Sequence, residues 1–168
     1  MDVFRIQGGA RLVGEVHITG AKNSSLKLMA VALLAPGKTI IHAVPDILDV
    51  AIMAELLRRL GCTVSYSAGT ETVEIDVPET IEHRADYDLV RRMRASIAVL
   101  GPLVARTGAA DVALPGGDAI GSRGLDMHTA GLERMGATVT NEHGYLFVHA
   151  PDGGLIGTHV YLDFPSVG

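Results

Sequence analysis

The chain is poor in the residues that cross-link small proteins or fill large cores. It has one cysteine, Cys62, and no tryptophan, and aromatic residues make up 4% of its 168 positions. A single cysteine excludes a disulfide or a cysteine-based metal cluster within one chain, and in "LGCTV" we expect it to be a small buried residue. The core must therefore consist of Leu, Val, Ile, Met and Ala. Together with 20 glycines, this composition favours an α/β fold over an all-β sandwich.

Positive charge is also scarce, with 14 Lys and Arg against 19 Asp and Glu and a net charge of −5. This balance argues against a broad nucleic-acid-binding surface, but a few converging cations can still hold a small anion. The N-terminus lacks the pattern of a secretory signal, and the longest apolar run, near residues 26–34, is too short to span a bilayer. We therefore expect a soluble cytoplasmic protein that binds neither nucleic acid nor membrane.

What the chain does contain is an internal repeat. The stretch "LLRRLGCTV" (56–64) returns as "GLERMGATV" (131–139), and "AVALLAPGK" (30–38) corresponds to "LGPLVARTG" (100–108). Such self-similarity is typical of proteins built from repeated supersecondary units. The second copy has about five extra residues, which fall in the glycine-containing loop "PGGDAIGSR" (115–123).

Each copy is predicted to be a strand-helix-strand-helix-strand-strand unit. In the first copy, apolar residues at helical spacing predict one helix from near Asn23 to just before Pro36, and a second that Asp46 caps and Gly61 ends. Its strands are expected at residues 15–19, 39–44, 63–67 and 72–77.

The second copy repeats this pattern, and a third copy begins before the chain ends. In the second, a closing hairpin is expected around His143 and Gly144, with helices at 89–105 and 125–135 and a strand at 110–115. The third starts with a strand at 159–163. We therefore expect a fragment of a longer repeat protein, with repeats at about 20–80 and 85–150 and the start of another at 157–168.

Two junctions carry cations where an anion could bind. In "GAKNSS", Lys22 and Asn23 lie where a strand meets a helix, and free N–H groups at a helix start favour an anion. The alternative is structural, with Asn23 as the helix N-cap and Lys22 as an exposed charge. In "RRMRAS", Arg94 lies at the matching region of the second copy and could also bind an anion. The structural alternative is that Arg94 belongs to a basic helix face exposed to solvent.

Two further stretches combine glycines or a helix start with polar side chains. In "PGGDAIGSRGLDMH", glycines allow a loop to approach a ligand closely, Asp118 could donate or accept a proton, and Arg123 could make bidentate contacts to an anion. A surface loop with Asp118 in an Asx-turn is the alternative. In "DFPSVG", Ser166 and the amides after it occupy the helix start of the third copy.

Together these stretches resemble a known family. "GAKNSSLKLMAVALLA", "VPDILDV", "MRASIAVLGPLVAR", "LPGGDAIGSRGLDMH" and "FPSVG" are similar to UDP-N-acetylglucosamine enolpyruvyl transferases, in the superfamily of EPSP synthase. The resemblance implies an inside-out α/β barrel of two domains, each made of three such units, with the active site between them. The chain covers about two-fifths of such an enzyme. Residues 1–19 would be strands packed with the missing C-terminal domain, and 20–168 would be part of the N-terminal catalytic domain.

The resemblance also implies a reaction, the first committed step of peptidoglycan synthesis. The enolpyruvyl group of phosphoenolpyruvate moves to the 3'-hydroxyl of UDP-N-acetylglucosamine, with no metal or organic cofactor. Lys22 and Asn23 would hold phosphoenolpyruvate, Arg94 would meet the anionic substrates, and Asp118 would donate the proton. The remaining residues would bind the nucleotide: Arg123, Gly124, Leu125, Asp126 and Met127 around the uridine, and Ser166 and Val167 at the diphosphate.

The chain departs from the family pattern at two positions. Asp118 stands where cysteine is common, and that cysteine is the target of fosfomycin, so we expect an enzyme that fosfomycin does not inactivate. Gly124 stands where proline is common, which predicts a less rigid uridine platform.

The chain alone is expected to be inactive, because the far wall of the cleft belongs to the missing domain. Three alternative hypotheses remain. In the first, the chain is a non-catalytic fragment that binds a nucleotide sugar. The acceptor could also be shikimate 3-phosphate, or a nucleotide of secondary metabolism.

Overall fold

A computed structural model describes residues 3–85, 87–114 and 124–162. The helices are α1 Lys22–Val31, α2 Leu48–Arg59, α3 Tyr87–Val90, α4 Leu100–Thr107 and α5 Asp126–Arg134. The strands are β1 Gly37–Ile41, β2 Thr63–Ser67, β3 Thr72–Val77, β4 Arg84–Ala85, β5 Ala109–Ala113, β6 Thr138–Glu142 and β7 Tyr145–His149. Short 3₁₀ helices lie at Ala32–Leu34, Ala68–Thr70 and Arg94–Val99. This mixture confirms the predicted α/β class.

The first sheet has the strand order β1-β3-β2, and the second has β4-β5-β7-β6. The strands β5, β7 and β6 of the second sheet correspond to β1, β3 and β2 of the first, and β4 is added at the edge. Neighbouring strands are antiparallel except β4 and β5, which are parallel. The last strand of each copy thus lies between its two predecessors, with Ile75 opposite Thr39 and Val64 and Val148 opposite Ala110 and Val139. The internal sequence similarity is therefore matched by equivalent sheets, and β4 lies before the first helix of the second copy, where the repeating unit has a strand.

Aliphatic side chains fill the core, as the composition predicts. The helical stripe of α1 buries Leu26 and Met29 completely, and Leu33 continues it in the 3₁₀ turn that follows. In the part of the chain that the structure describes, no aromatic side chain belongs to the buried set. Cys62 is buried, as expected, and desolvation raises the pKa of its thiol to about 11. The expectation of a small buried cysteine is confirmed.

The helix predicted at residues 89–105 is wrong as a continuous element. The structure has α3, the 3₁₀ helix Arg94–Val99 and α4 in its place. The cause is Ser96, whose completely buried hydroxyl lies within hydrogen-bond distance of the carbonyl oxygens of Val90 and Met93. A serine that bonds the preceding backbone competes with α-helical hydrogen bonds. The backbone N–H of Ser96 also bonds to Met93 O, with three-residue spacing.

Two predicted strands are not formed. Residues 15–19 and 159–162 have no strand assignment, and the side chains of Val16 and Ile18 are both 87% exposed. An alternating pattern only becomes a strand when a neighbouring backbone supplies hydrogen bonds. No such ladder is formed to either segment within the described residues.

Neither Asp46, the predicted cap of α2, nor Asn23, the cap of α1 in the structural alternative, is an N-cap. Ile47, not Asp46, is the N-cap of α2, and Ala21, not Asn23, is the N-cap of α1. Asp46 instead accepts a 3.0 Å hydrogen bond from the Tyr66 hydroxyl on β2. Burial, and then this bond, raise the pKa of Tyr66. Asp46 therefore ties the start of α2 to the sheet instead of closing the first turn of the helix.

Arg106 joins the two copies. From the end of α4, its guanidinium donates to the carbonyl oxygens of Leu33 and Glu79 at 2.9 Å each and of Pro78 at 3.3 Å. Those acceptors belong to the first copy and Arg106 to the second. The two copies are thus bonded to each other through Arg106. They are also in contact where α1 of the first copy packs against the 3₁₀ helix Arg94–Val99 of the second.

Candidate functional site

Lys22 is the first residue of α1 and is paired across the fold. Its Nζ lies 2.7 Å from Oδ2 of Asp49, in the first turn of α2. The Lys22 side chain is 54% exposed and that of Asp49 27%. A cation at a helix start opposes the helix dipole, whereas a carboxylate there is stabilised by it. Lys22 is therefore held as a partly exposed cation at the meeting point of two helix N-termini.

Asn23, the next residue, lines a cavity of about 590 Å³ between α1, the 3₁₀ helix Arg94–Val99 and the start of α5. Met127 and His128 line it from α5, and Lys27 lines it from α1. The structure thus brings Asn23 and Met127 to one cavity, although they are far apart in the sequence. Its wall is mainly apolar, with the amide, ammonium and imidazole as polar groups.

Arg94 lines a second cavity, of about 490 Å³, with Gly124, Leu125 and Asp126. This cavity lies between α5 and the β6–β7 side of the second sheet, and it also includes Glu133 and Asn141. Four residues predicted to meet the substrates therefore border one space. From the described residues, the cavity has the guanidinium of Arg94, the amide of Asn141, the hydroxyl of Thr129 and the carboxylates of Asp126 and Glu133, so it can make polar contacts of both signs.

Asp126 borders the cavity of Arg94, and its neighbour Met127 borders the cavity of Asn23. They also border a third space of about 150 Å³, with Arg134 and Val160. The position of a β-carbon at Gly124 is occupied by the carboxylate of Asp126. Glycine at this position therefore leaves room for the Asp126 carboxylate.

Four predicted site residues lie outside the described residues: Asp118, Arg123, Ser166 and Val167. Their assignments stay predictions. The described residues divide between the Lys22–Asp49 pair, the cavity with Asn23 and Met127, and the cavity with Arg94, Gly124, Leu125 and Asp126.

The sequence analysis missed Asp49 and Lys27. Lys27 follows Asn23 by four positions, a spacing that places both on one helix face, so it could have been found. Asp49 is 27 positions from Lys22 in sequence, and only the packing of α1 against α2 brings the two together. No local pattern indicates that pairing.

Among residues 3–85, 87–114 and 124–162, no three His, Cys, Asp or Glu side chains are grouped as metal ligands. In the same ranges, no helix has the length and hydropathy needed to cross a membrane.

Comparison with known proteins gives one consistent family. Residues 6–168 match EPSP synthase (3-phosphoshikimate 1-carboxyvinyltransferase). A UDP-N-acetylglucosamine 1-carboxyvinyltransferase of Corynebacterium jeikeium is 56% identical over 99% of this chain, and one of Nocardia farcinica is 55% identical over 98%. The chain spans 39% of the length of each of these curated relatives.

A solved structure agrees with that result. The crystal structure of the enolpyruvyl transferase NikO from Streptomyces tendae superposes with a TM-score of 0.73 at 28% identity. The match covers 85% of this chain and 31% of that one. The fold described above is therefore that of an enolpyruvyl transferase.

Proposed function

We propose, since this chain belongs to the EPSP synthase family, that it is the N-terminal part of a UDP-N-acetylglucosamine 1-carboxyvinyltransferase. The observation that carries the proposal is the high identity, over almost the whole chain, to relatives of that name. In this reaction the acceptor 3'-hydroxyl loses its proton to a base while its oxygen bonds to C2 of phosphoenolpyruvate, and the C2=C3 double bond becomes a single bond as C3 gains a proton. C3 then loses a proton, the C2–O bond to phosphate breaks, and inorganic phosphate leaves.

The proposed roles follow the charges. Lys22 and Asn23 hold phosphoenolpyruvate, and Arg94 meets the anionic groups of the substrates. Fixed cations stabilise the anionic intermediate more than the bound substrates, which is how they accelerate the reaction. The cavity that Arg94 shares with Gly124, Leu125 and Asp126 supports the assignment of Arg94.

The remaining roles are proposed from the family resemblance. Asp118 donates the proton to C3, for which its pKa must rise in the closed complex. Arg123 and Met127 complete the uridine pocket, and Ser166 and Val167 contact the diphosphate. Fosfomycin is expected to leave the enzyme active, because a carboxylate is a weaker nucleophile than a thiolate. A covalent fosfomycin adduct on Asp118 would contradict this.

The chain alone is proposed to be inactive. Residues 20–168 are assigned to the catalytic N-terminal domain of a cytoplasmic enzyme, and residues 1–19 pack with the C-terminal domain. The exposed apolar side chains of Phe4 (98%) and Ile6 (89%) support the second assignment. An incomplete cleft leaves part of the anionic intermediate without fixed partners, so turnover should not occur.

The test compares the chain with a completed version of it. The completed protein joins Gly168 to the remainder of the Corynebacterium jeikeium relative. Phosphate release from phosphoenolpyruvate and UDP-N-acetylglucosamine is measured for both, with folding checked by circular dichroism. We expect turnover in the completed protein, a strongly lowered but measurable turnover on Lys22→Ala, and background release from the chain alone. A folded completed protein without turnover would contradict the proposed activity, and turnover by the chain alone would contradict its inactivity.

A second acceptor has one observation in its favour. The matching family carries the description 3-phosphoshikimate 1-carboxyvinyltransferase, so shikimate 3-phosphate is tested beside UDP-N-acetylglucosamine. Calorimetry of the chain alone with UDP-N-acetylglucosamine tests the further alternative of a non-catalytic fragment that binds nucleotide sugars.

A further inference from the structure

We infer that Asp49 is a positioning residue for Lys22, holding its ammonium at the start of α1 so that it can receive an anionic substrate. The inference rests on the proposed function, in which Lys22 binds phosphoenolpyruvate. Asp49 lies on another helix, α2, and would affect the substrate only through its effect on Lys22.

The geometry of the pair supports this role. Lys22 Nζ and Asp49 Oδ2 are 2.7 Å apart, which is short for a charge-assisted hydrogen bond between an amine and a carboxylate. Since the Lys22 side chain stays 54% exposed, solvent and ligands can reach it.

The location of the pair gives it a function beyond stability. Exposed ion pairs contribute little to stability, so the pair adds little to folding. A lysine side chain, by contrast, has several rotatable bonds and loses much of its freedom when one end is fixed. Asp49 removes that freedom before the substrate binds, and its own position in the first turn of α2 is favoured by the helix dipole.

The chain contains a matched pair for comparison. Lys38 on β1 lies 2.6 Å from Glu74 on β3, and the hydrogen bond to Glu74 raises the pKa of Lys38. Lys22, Lys27 and Lys38 are the only lysines of the sequence, so acylation can be followed separately at each by mass spectrometry. Glu74→Gln and Asp49→Asn each remove one carboxylate charge and keep the side-chain shape.

The first experiment uses the 168-residue chain and an amine-acylating reagent. In Asp49→Asn, we expect acylation of Lys22 to accelerate about two- to fivefold, the range that an exposed ion pair provides, with Lys27 and Lys38 unchanged. In Glu74→Gln, only Lys38 should accelerate. An unchanged rate at Lys22 in Asp49→Asn would overturn the inference.

The second experiment measures kinetics in the completed protein. Asp49→Asn should lower kcat/KM for phosphoenolpyruvate by about ten- to a hundredfold, as expected when a catalytic cation is misplaced. Asp49→Glu should recover part of the loss, and thermal unfolding should barely change. In a Lys22→Ala background, Asp49→Asn should have no further effect. Additive losses would show that Asp49 acts independently of Lys22, which overturns the inference.

The two experiments separate this inference from the proposed function. If the completed protein is folded but does not turn over, the proposed function fails while the acylation rates still report whether Asp49 holds Lys22. If turnover occurs and Asp49→Asn is as active as the unaltered protein, the proposed function stands and the inference fails.

Discussion

Helices α2 and α5 occupy equivalent places in the two copies and are used differently. Six of the twelve residues of α2 are buried, whereas none of the nine residues of α5, all described by the structure, is buried. The first residues of α5 border cavities instead. The same supersecondary unit therefore builds core in the first copy and leaves binding space in the second.

The sequences of α2 and α5 explain why one helix is buried and the other is not. Leu56 of α2 aligns with Gly131 of α5, and Arg58 aligns with Glu133. Each buried leucine contributes about 1.5–3 kcal/mol of hydrophobic stabilisation, which the second copy lacks where glycine replaces it. The second copy is thus the less tightly packed one at the position where the substrates are proposed to bind.

The largest difference in the free energy of unfolding is expected between variants of two equivalent leucines, one in each copy. Leu57 is completely buried, and its equivalent Leu132 is only partly buried. Leu57→Ala should lower the free energy of unfolding by about 2–5 kcal/mol because it leaves a cavity, and Leu132→Ala should lower it by about 1 kcal/mol or less. Chemical denaturation of both variants measures this. Equal losses would contradict the contrast between α2 and α5.

A smaller effect is expected where the copies are joined. Arg106→Ala removes the guanidinium that donates to Leu33, Pro78 and Glu79 of the first copy, and should lower the free energy of unfolding by about 1–3 kcal/mol. Arg134→Ala is the control, since its one bond, to Tyr161 O, is exposed and 3.4 Å long. A loss in the control as large as that in Arg106→Ala would show that Arg106 has no special role in joining the copies.

A pH-dependent effect is expected at the end of α2, where Cys62 in the first copy aligns with Ala137 in the second. Burial raises the pKa of Cys62 from 9.0 to about 11. Unfolding therefore releases a proton between these values, so stability is lost as pH rises through this range. Cys62→Ala, which installs the residue of the second copy, should reduce that alkaline loss in denaturation curves at pH 8 to 11. An identical alkaline loss in both proteins would contradict the assignment.

The smallest effect is expected at the start of α5. Gly124→Ala places a methyl group where the Asp126 carboxylate lies, and that flexible side chain can move away. We expect a stability change within about 0.5 kcal/mol and a weaker affinity of the completed protein for UDP-N-acetylglucosamine, measured by calorimetry. A large loss of stability with unchanged affinity would place Asp126 in the packing instead of the site.

Local patterns predicted most of the fold. The stripe Leu26, Met29 and Leu33, the strands β2 and β3, and the hairpin at His143 and Gly144 all depend on neighbours within a few residues, and the structure contains each of them. The helix break at Ser96 was missed because it depends on where one hydroxyl is buried. Residues 15–19 have a strand pattern, but a strand also requires a partner, which a pattern cannot supply.

The sequence predicted those residues of the candidate site that lie at the starts of helices. Lys22, Asn23 and Asp126 lie in first turns, which sequence signals locate well. The Lys22–Asp49 pair depends on how α1 packs against α2, and the displacement of Asp46 towards Tyr66 depends on a strand twenty residues away. Both are tertiary contacts, so residue spacing along the chain did not indicate them.

The most direct test of the proposed function is the mass of the product formed by the completed protein. Given phosphoenolpyruvate with UDP-N-acetylglucosamine and shikimate 3-phosphate together, we expect the enolpyruvyl group on the nucleotide sugar, at its 3'-oxygen. An enolpyruvyl group found only on shikimate 3-phosphate would contradict it.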